Sequence, residues 1–202
     1  MAVMVRIYDK NPNQREVRRV VDALERGGVI IYPTDSVYAF GCSINCPKAV
    51  EKLKQICGKD VSRLSVVFAS IAQMSEFVRI DNEEFKVLKR NLPGPFTFIL
   101  RAGSRTPDKV IGKRKTLGVR IPDNTIAAAI VETLGCPMLT ASVKDDDRLI
   151  EYTTDPGLML ERYGSVLEAV VDGGNGDNIP TTTVDLSEGE AVVVRQGKGE
   201  LK

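Results

Sequence analysis

The strongest constraint on the fold is an alternation of amphipathic helices and short apolar strands along the chain. It begins with residues 14–26, whose apolar side chains recur at the spacing of one helix face. The glycine pair at 27–28 ends this helix, and the β-branched run over 29–32 predicts a buried strand directly after it. A helix followed at once by a buried strand is typical of α/β domains.

The same alternation continues toward the C-terminus. Proline at the first position favours a helix over 47–56, and Ser70 and Asp81 are predicted N-caps of helices that end near residues 77 and 91. Further helices are predicted over 125–134 and 155–163. The remaining predicted strands are 64–68, 96–100, 117–121, 138–140, 169–171, 182–186 and 191–195.

Length and continuity favour one domain. The chain has 202 residues and contains no internal repeat, no low-complexity tract and no composition break that would mark a linker. We therefore expect a single domain over residues 1–202, of the α/β class, with an open, twisted, mixed sheet and flanking helices.

Composition predicts a cytoplasmic protein without a membrane partner. No apolar run approaches the roughly 18 residues of a membrane span, and the first residues do not form a signal peptide. Four cysteines in a chain of this length do not make a secreted disulfide framework.

The chain has no histidine. This excludes Ser-His-Asp and Cys-His dyads, histidine general bases and histidine-rich metal sites. Chemistry must therefore depend on lysine, arginine, hydroxyls, carboxylates, tyrosine, cysteine, backbone groups or a hard metal. That inventory favours charge stabilisation, as in phosphate chemistry, over nucleophilic hydrolysis.

The net charge of +1 conceals an asymmetry. Nine basic residues and one acid lie between Lys86 and Lys115, whereas twelve acids and two bases lie between Asp145 and Glu190. A basic stretch of this kind can bind polyphosphate or nucleic acid. The alternative is a set of ordinary solvated loops and helix faces.

The segment after the first buried strand, Pro33-Thr34-Asp35-Ser36, presents hydroxyls and a carboxylate. Ligands of α/β sheets bind outside the carboxyl ends of strands, so this segment is a candidate for a polar substrate or phosphate. The alternative is an ordinary Asx or ST turn, which the same residues favour.

Polar residues mark several other strand ends. Thr116 and Arg120 are four apart, so they share a face, and a strand arginine can clamp a carboxylate through two hydrogen bonds. A salt bridge to an acid of the chain is the alternative. Three other predicted strands have a hydroxyl or an arginine at one end. Thr140 and Ser142 lie at the end of one strand, Thr181 lies at the start of another, and Arg195 lies at the end of the last. Together they suit an anionic ligand.

Three short sequence patterns are candidates for a metal site or a reactive thiol. Lys59 can activate the Cys57 thiol, Asp145-Asp146-Asp147 can bind Mg²⁺, and Cys42 with Cys46 resembles half a zinc site. The alternative is a plain surface loop for Cys57 and Lys59 and a solvated acidic loop for the three aspartates. For Cys42 and Cys46 the alternative is no metal site, since the sequence has no second pair of ligands.

Five ordered segments resemble the YrdC/YciO family, and the N-terminal segment 9–15 resembles its YciO branch. They are Gly27-Gly28-Val29-Ile30-Ile31-Tyr32-Pro33-Thr34-Asp35-Ser36-Val37-Tyr38-Ala39-Phe40-Gly41-Cys42, Pro93-Gly94-Pro95-Phe96-Thr97, Gly118-Val119-Arg120-Ile121-Pro122, Pro180-Thr181-Thr182-Thr183-Val184-Asp185-Leu186 and Arg195-Gln196-Gly197.

The resemblance implies a YrdC/RibB-like fold with a concave, positively charged groove. It implies synthesis of threonylcarbamoyl-AMP from threonine, bicarbonate and ATP with release of pyrophosphate, assisted by Mg²⁺, for modification of adenosine 37 in tRNA. Some members bind double-stranded RNA. Carried over by motif, four residues are implied to bind threonine: Ser36, Arg120, Thr140 and Thr181. Four more are implied to contact the nucleotide: Lys59, Thr116, Ser142 and Arg195.

The chain departs from the family pattern at three places. Cys57-Gly58-Lys59 replaces a Lys-x-Arg pair, Phe68 replaces a histidine, and Ser142-Val143-Lys144 replaces a Ser-x-Asn motif. Three hypotheses follow: a divergent synthase, a non-catalytic protein that binds double-stranded RNA or nucleotide, or an adenylate reaction on another amino acid with Phe68 as a pocket wall.

Overall fold

The computed structural model describes residues 1–58, 64–111, 115–143 and 151–202, without the side chains of 151 and 152. Its helices are α1 Gln14–Glu25, α2 Pro47–Ile56, α3 Ile71–Ser75, α4 Asn82–Asn91, α5 Thr125–Leu134, α6 Glu151–Thr154 and α7 Pro156–Tyr163, with a 3-10 helix at Asp108–Val110. Its strands are β1 Val3–Arg6, β2 Ile30–Tyr32, β3 Ala39–Ser43, β4 Ser65–Val67, β5 Phe96–Arg101, β6 Thr116–Arg120, β7 Met138–Ser142, β8 Ala169–Asp172, β9 Thr182–Asp185 and β10 Val192–Arg195.

The ten described strands form one mixed sheet in the order β1-β8-β2-β3-β7-β4-β6-β5-β9-β10. The pairs β1–β8, β2–β8, β4–β6 and β5–β9 are parallel, and the other neighbours are antiparallel. The predicted α/β class with a mixed sheet is confirmed.

Strand alternation divides the core between the two faces of the sheet. On one face, Val66, Phe98 and Val119 pack with the apolar sides of α2 and α4, which contribute Leu53 and Leu88. The other face carries a second cluster beneath α1 and α5. Its strand residues come from β1, β2, β3, β4, β7 and β8.

No residue of β5, β6 or β9 belongs to this second cluster. On that part of the sheet, half-exposed side chains alternate with the buried ones of the first core. We call this surface the open polar face, defined by Thr97, Ile99, Thr116, Gly118, Thr183 and Asp185. Among the described residues, no helix of the second cluster covers the β5, β6 and β9 part of this sheet face, which makes it a candidate ligand surface.

Local capping explains where several helices begin. Ser70 and Asp81 are N-caps, as predicted, and Asp81 forms a reciprocal capping box with Glu84. Asn13 and Asn124 cap α1 and α5 in the same way. None of the helices among the described residues has the length and apolar character needed to cross a bilayer.

Candidate functional site

The segment between β2 and β3 folds as a hydroxyl-stabilised turn. Thr34 Oγ1 donates to the Val37 carbonyl at 2.7 Å and accepts the Ser36 backbone N–H at 3.1 Å. The ST-turn alternative is therefore present. It also fixes the direction of Asp35 and Ser36, since both lie within the turn.

Arg120 ends β6 and lies against this turn, with only 3% of its side chain exposed. Its Nη2 donates to Asp35 Oδ1 at 2.9 Å and to Ser36 Oγ at 3.2 Å. Asp35 Oδ2 accepts the Asp123 backbone N–H at 2.8 Å. The predicted neighbours Ser36 and Arg120 are in contact, and the ion-pair alternative for Arg120 is also present.

The Nε–H of Arg120 has no hydrogen-bond partner among the described residues. Its Nε is buried, and no acceptor reaches it among the residues that the structure describes. An unpaired buried N–H costs about 1–3 kcal/mol. Because a guanidinium fork binds carboxylates through parallel hydrogen bonds, this unpaired donor makes Arg120 a candidate for binding an anionic ligand.

Thr140 is almost fully buried and already hydrogen bonded. Its Oγ1 donates to the Phe40 carbonyl at 2.8 Å and lies 2.9 Å from the Tyr32 hydroxyl. Burial raises the pKa of Tyr32, so its phenol stays protonated and donates to Thr140. Thr140 therefore acts within the protein's own hydrogen-bond network. Tyr32 was not predicted as a site residue, because an aromatic side chain in an apolar strand is normally part of the hydrophobic core.

Thr181 lies just before β9 and is joined to the open polar face. Its Oγ1 is 2.8 Å from Thr97 Oγ1, and its carbonyl accepts a 3.0 Å hydrogen bond from Arg195 Nη2. Arg195 pairs with Thr183, which pairs with Thr97. Arg195 is thus at the same sheet edge as Thr181. Thr97 ends the motif Pro93-Gly94-Pro95-Phe96-Thr97, but no site role was predicted for it.

Thr116 and Ser142 lie at the opposite edge. Ser65 of β4 pairs with Thr140 of β7 on one side and with Gly118 of β6 on the other. Ser142 and Thr116 each lie two residues beyond these partners, in the same direction and on the same face of the sheet. Four residues of strand separate Thr116 from Arg120, or about 13 Å. The predicted site residues form two groups at the two ends of the open polar face. Lys59 lies outside the described residues.

Comparisons with known proteins agree with this fold. The Sua5/YciO/YrdC family model, described as "Telomere recombination", matches residues 22–197. The chain belongs to this family. YciO of Escherichia coli is 37% identical over 199 residues, covering 97% of this chain and 96% of that protein. Its crystal structure has a TM-score of 0.92 at 36% identity, covering 99% of this chain and 98% of that one.

Two further family members are more distant. A threonylcarbamoyl-AMP synthase of Thiobacillus denitrificans is 30% identical over 170 residues, 83% of this chain and 89% of that protein. The crystal structure of P. abyssi Sua5 complexed with L-threonine has a TM-score of 0.86. At 24% identity it shows a shared fold, covering 97% of this chain and 58% of the Sua5 chain.

The family's histidine position is part of the core in this chain. Phe68 is 1% exposed, and its ring centroid lies 5.6 Å from that of Phe77. It belongs to the first core cluster, beneath the face opposite Arg120. The expectation of Phe68 as a wall of the pocket is wrong, because strand alternation turns its side chain away from the open polar face.

Metal ligands are not grouped in the described part of the chain. No three histidine, cysteine, aspartate or glutamate side chains there are arranged to hold a metal ion. Asp145, Asp146 and Asp147 lie outside the described residues. The role of Mg²⁺ stays a prediction, and we assign no step to the ion.

The four cysteines are free thiols. Burial raises the pKa of the Cys57 thiol to about 11. The described surroundings of Cys57 therefore do not activate its thiol, while Lys59 lies outside the described residues and its effect stays a prediction. Burial likewise raises the pKa of Cys42, which lies beneath α2.

The raised pKa of Cys57 predicts a steep pH dependence of alkylation. At pH 8 only about one thiol in a thousand is a thiolate, so Cys57 should react with iodoacetamide about 100-fold more slowly than an unperturbed cysteine. Its rate should rise about tenfold per pH unit up to about pH 11. Mass spectrometry of labelled peptides measures this, with urea-unfolded chain as the control. A rate plateau near pH 8 would contradict the raised pKa.

The basic stretch of residues 86–115 is partly compensated by carboxylates. Four of its cations form ion pairs with acids: Lys86 with Glu83, Arg101 with Glu84, Arg105 with Glu76 and Lys109 with Glu51. Helix α4 packs on the face opposite Arg120, since Leu88 belongs to the first core cluster. The lysines of α4 therefore do not line the open polar face, and a positively charged groove stays a prediction.

Proposed function

We propose that the chain is a divergent threonylcarbamoyl-AMP synthase-like enzyme of tRNA modification. Its substrates would be threonine, bicarbonate and ATP, and the observation that carries the proposal is the unpaired donor of Arg120. A buried guanidinium with an unpaired Nε–H and a serine hydroxyl beside it suits the carboxylate of an amino acid. Membership of the family supplies the reaction class.

Each group of residues has a role in this reaction. Arg120 and Ser36 hold the threonine carboxylate, and Thr181 orients the amino acid at the same edge. Thr140 supports the site from within the sheet through Tyr32. Four residues contact the nucleotide in this proposal: Lys59, Thr116, Ser142 and Arg195.

The reaction balances as a carbamoylation followed by adenylation. The threonine amine and bicarbonate form a carbamate and release water. A carbamate oxygen then bonds to the α-phosphorus of ATP, and the bond to pyrophosphate breaks. The residues of the site contribute mainly by holding the amino acid and the nucleotide in one geometry.

The test is pyrophosphate release from ATP and bicarbonate by the purified protein in Mg²⁺ buffer, with and without threonine. The proposal predicts threonine-dependent release. Release that does not depend on threonine, or none at all, would contradict it.

The second candidate is a non-catalytic protein that binds double-stranded RNA or nucleotide. Replacement of the family's Lys-x-Arg by Cys57-Gly58-Lys59 favours it, because lysine lacks the bidentate fork of arginine. The salt dependence of binding distinguishes the two ligands. The affinity for RNA should fall steeply with added salt, because the protein would contact several phosphates, whereas the affinity for a mononucleotide should fall only slightly.

Ser36→Ala should weaken threonine binding about tenfold, since the lost hydroxyl lies within hydrogen-bond distance of Arg120 and beside the ligand. Isothermal calorimetry with L-threonine measures the change. Ser75→Ala is the matched control, because Ser75 bonds only its own helix at Ala72. Equal affinities of the Ser36 and Ser75 variants would remove Ser36 from the site.

A further inference from the structure

The C-terminal segment 196–199 packs closely against the start of β9. The Gly197 N–H donates to Thr182 Oγ1 at 2.9 Å, and the Thr182 hydroxyl donates to the Gly199 carbonyl at 2.6 Å. A Cβ at Gly197 would lie 2.3 Å from the Pro180 carbonyl oxygen, so only glycine fits there. These contacts fix the backbone on both sides of Lys198.

Lys198 reaches from this segment to the turn that carries Asp35 and Ser36. Its Nζ donates to the Asp35 carbonyl at 2.7 Å and lies 2.7 Å from Asp177 Oδ2. The hydrogen bond from Lys198 is the main cause that lowers the pKa of Asp177. One ammonium therefore joins three segments of chain.

We propose that Lys198 is a positioning residue of the amino-acid site, which holds the turn after β2 so that Asp35 and Ser36 face Arg120. The turn is held from two sides: Arg120 and Asp123 bind the Asp35 carboxylate, and Lys198 binds its carbonyl. The ion pair with Asp177 fastens the segment before β9 to the same point.

Nothing in the family match assigns this role. The match ends at residue 197, one residue before Lys198. The identity of the ligand, threonine, rests on the proposed function of the Arg120 site. The positioning of the turn by Lys198 can be measured without any ligand.

Removal of the ammonium should affect one end of the open polar face only. Ser36 and Arg120 lie at the edge that Lys198 contacts, whereas Thr116 and Ser142 lie at the other edge. Lys198→Met should therefore weaken threonine binding about fivefold and ATP binding less, because the turn loses its preorganisation whereas Thr116 and Ser142 at the other edge keep their positions.

The experiment combines hydrogen exchange with calorimetry. In Lys198→Met, the backbone amides of Ser36 and Asp123 should exchange about tenfold faster, since both are bonded within or to the turn. Lys198→Arg should restore most of the protection and of the threonine affinity. Lys202→Met is the matched control, because Lys202 is held through its backbone by Asn91.

Three outcomes are decisive. Unchanged exchange and unchanged threonine affinity in Lys198→Met would overturn the proposal. If threonine binding and ATP binding weaken equally and the melting temperature falls, the proposal would also be overturned, because that pattern indicates general destabilisation of the fold. Faster exchange in a protein that does not bind threonine even as wild type would support the positioning role while the proposed function fails.

Discussion

Arg120→Lys should keep the fold and lower threonine-dependent pyrophosphate release by at least about 100-fold. Lysine retains the positive charge beside Asp35, so the buried carboxylate keeps a partner. It has no planar fork, so it cannot bind the turn and a substrate carboxylate through parallel hydrogen bonds. Steady-state assays at varied threonine and ATP measure the loss.

Arg120→Ala should destabilise the fold as well as remove the carboxylate-binding group. It leaves the Asp35 carboxylate with the Asp123 N–H but without its cation, and breaking a buried pair in this way costs about 3–5 kcal/mol. Arg90→Lys, on the exposed side of α4, is the control and should change neither activity nor stability. Full threonine-dependent activity in Arg120→Lys would remove Arg120 from the amino-acid site.

Adjacent residues of β5 should respond very differently to truncation. Phe98 is fully buried in the first core cluster, so Phe98→Ala should lower the free energy of unfolding by about 3–5 kcal/mol. Ile99 is half-exposed on the open polar face, so Ile99→Ala should cost less than about 1.5 kcal/mol. Urea unfolding followed by circular dichroism measures both.

This comparison tests whether the face that bears Arg120 is open. Similar losses in the two variants would mean that the face of Ile99 is packed as tightly as that of Phe98. The account of an available ligand surface would then be wrong.

Much of the fold could be predicted because local signals were strong. Helices α2 and α5 have the predicted bounds, since proline opens one and alanine-rich apolar periodicity defines the other. Strands β1 and β3 were not predicted. The sequence of β3, Ala39-Phe40-Gly41-Cys42-Ser43, has no β-branched run, and pairing with β2 and β7 on both sides stabilises it.

The site was predicted in part for similar reasons. Alternation places Thr116 and Arg120 on one face, and the structure agrees. Contacts between distant segments carry no local signal. The bonds from Lys198 to Asp35 and from Thr140 to Tyr32 span 163 and 108 residues, so only the folded chain reveals them.

The most direct test of the account is the ¹⁵N-resolved Nε–H signal of Arg120 during titration with L-threonine. Because this buried donor has no partner in the described structure, the account predicts a saturable shift as the threonine carboxylate accepts it. Threoninamide, which has no carboxylate, should leave the signal in place. An Nε–H signal that stays unchanged while threonine binds, or that shifts equally with threoninamide, would contradict the assignment of Arg120 as the carboxylate-binding residue.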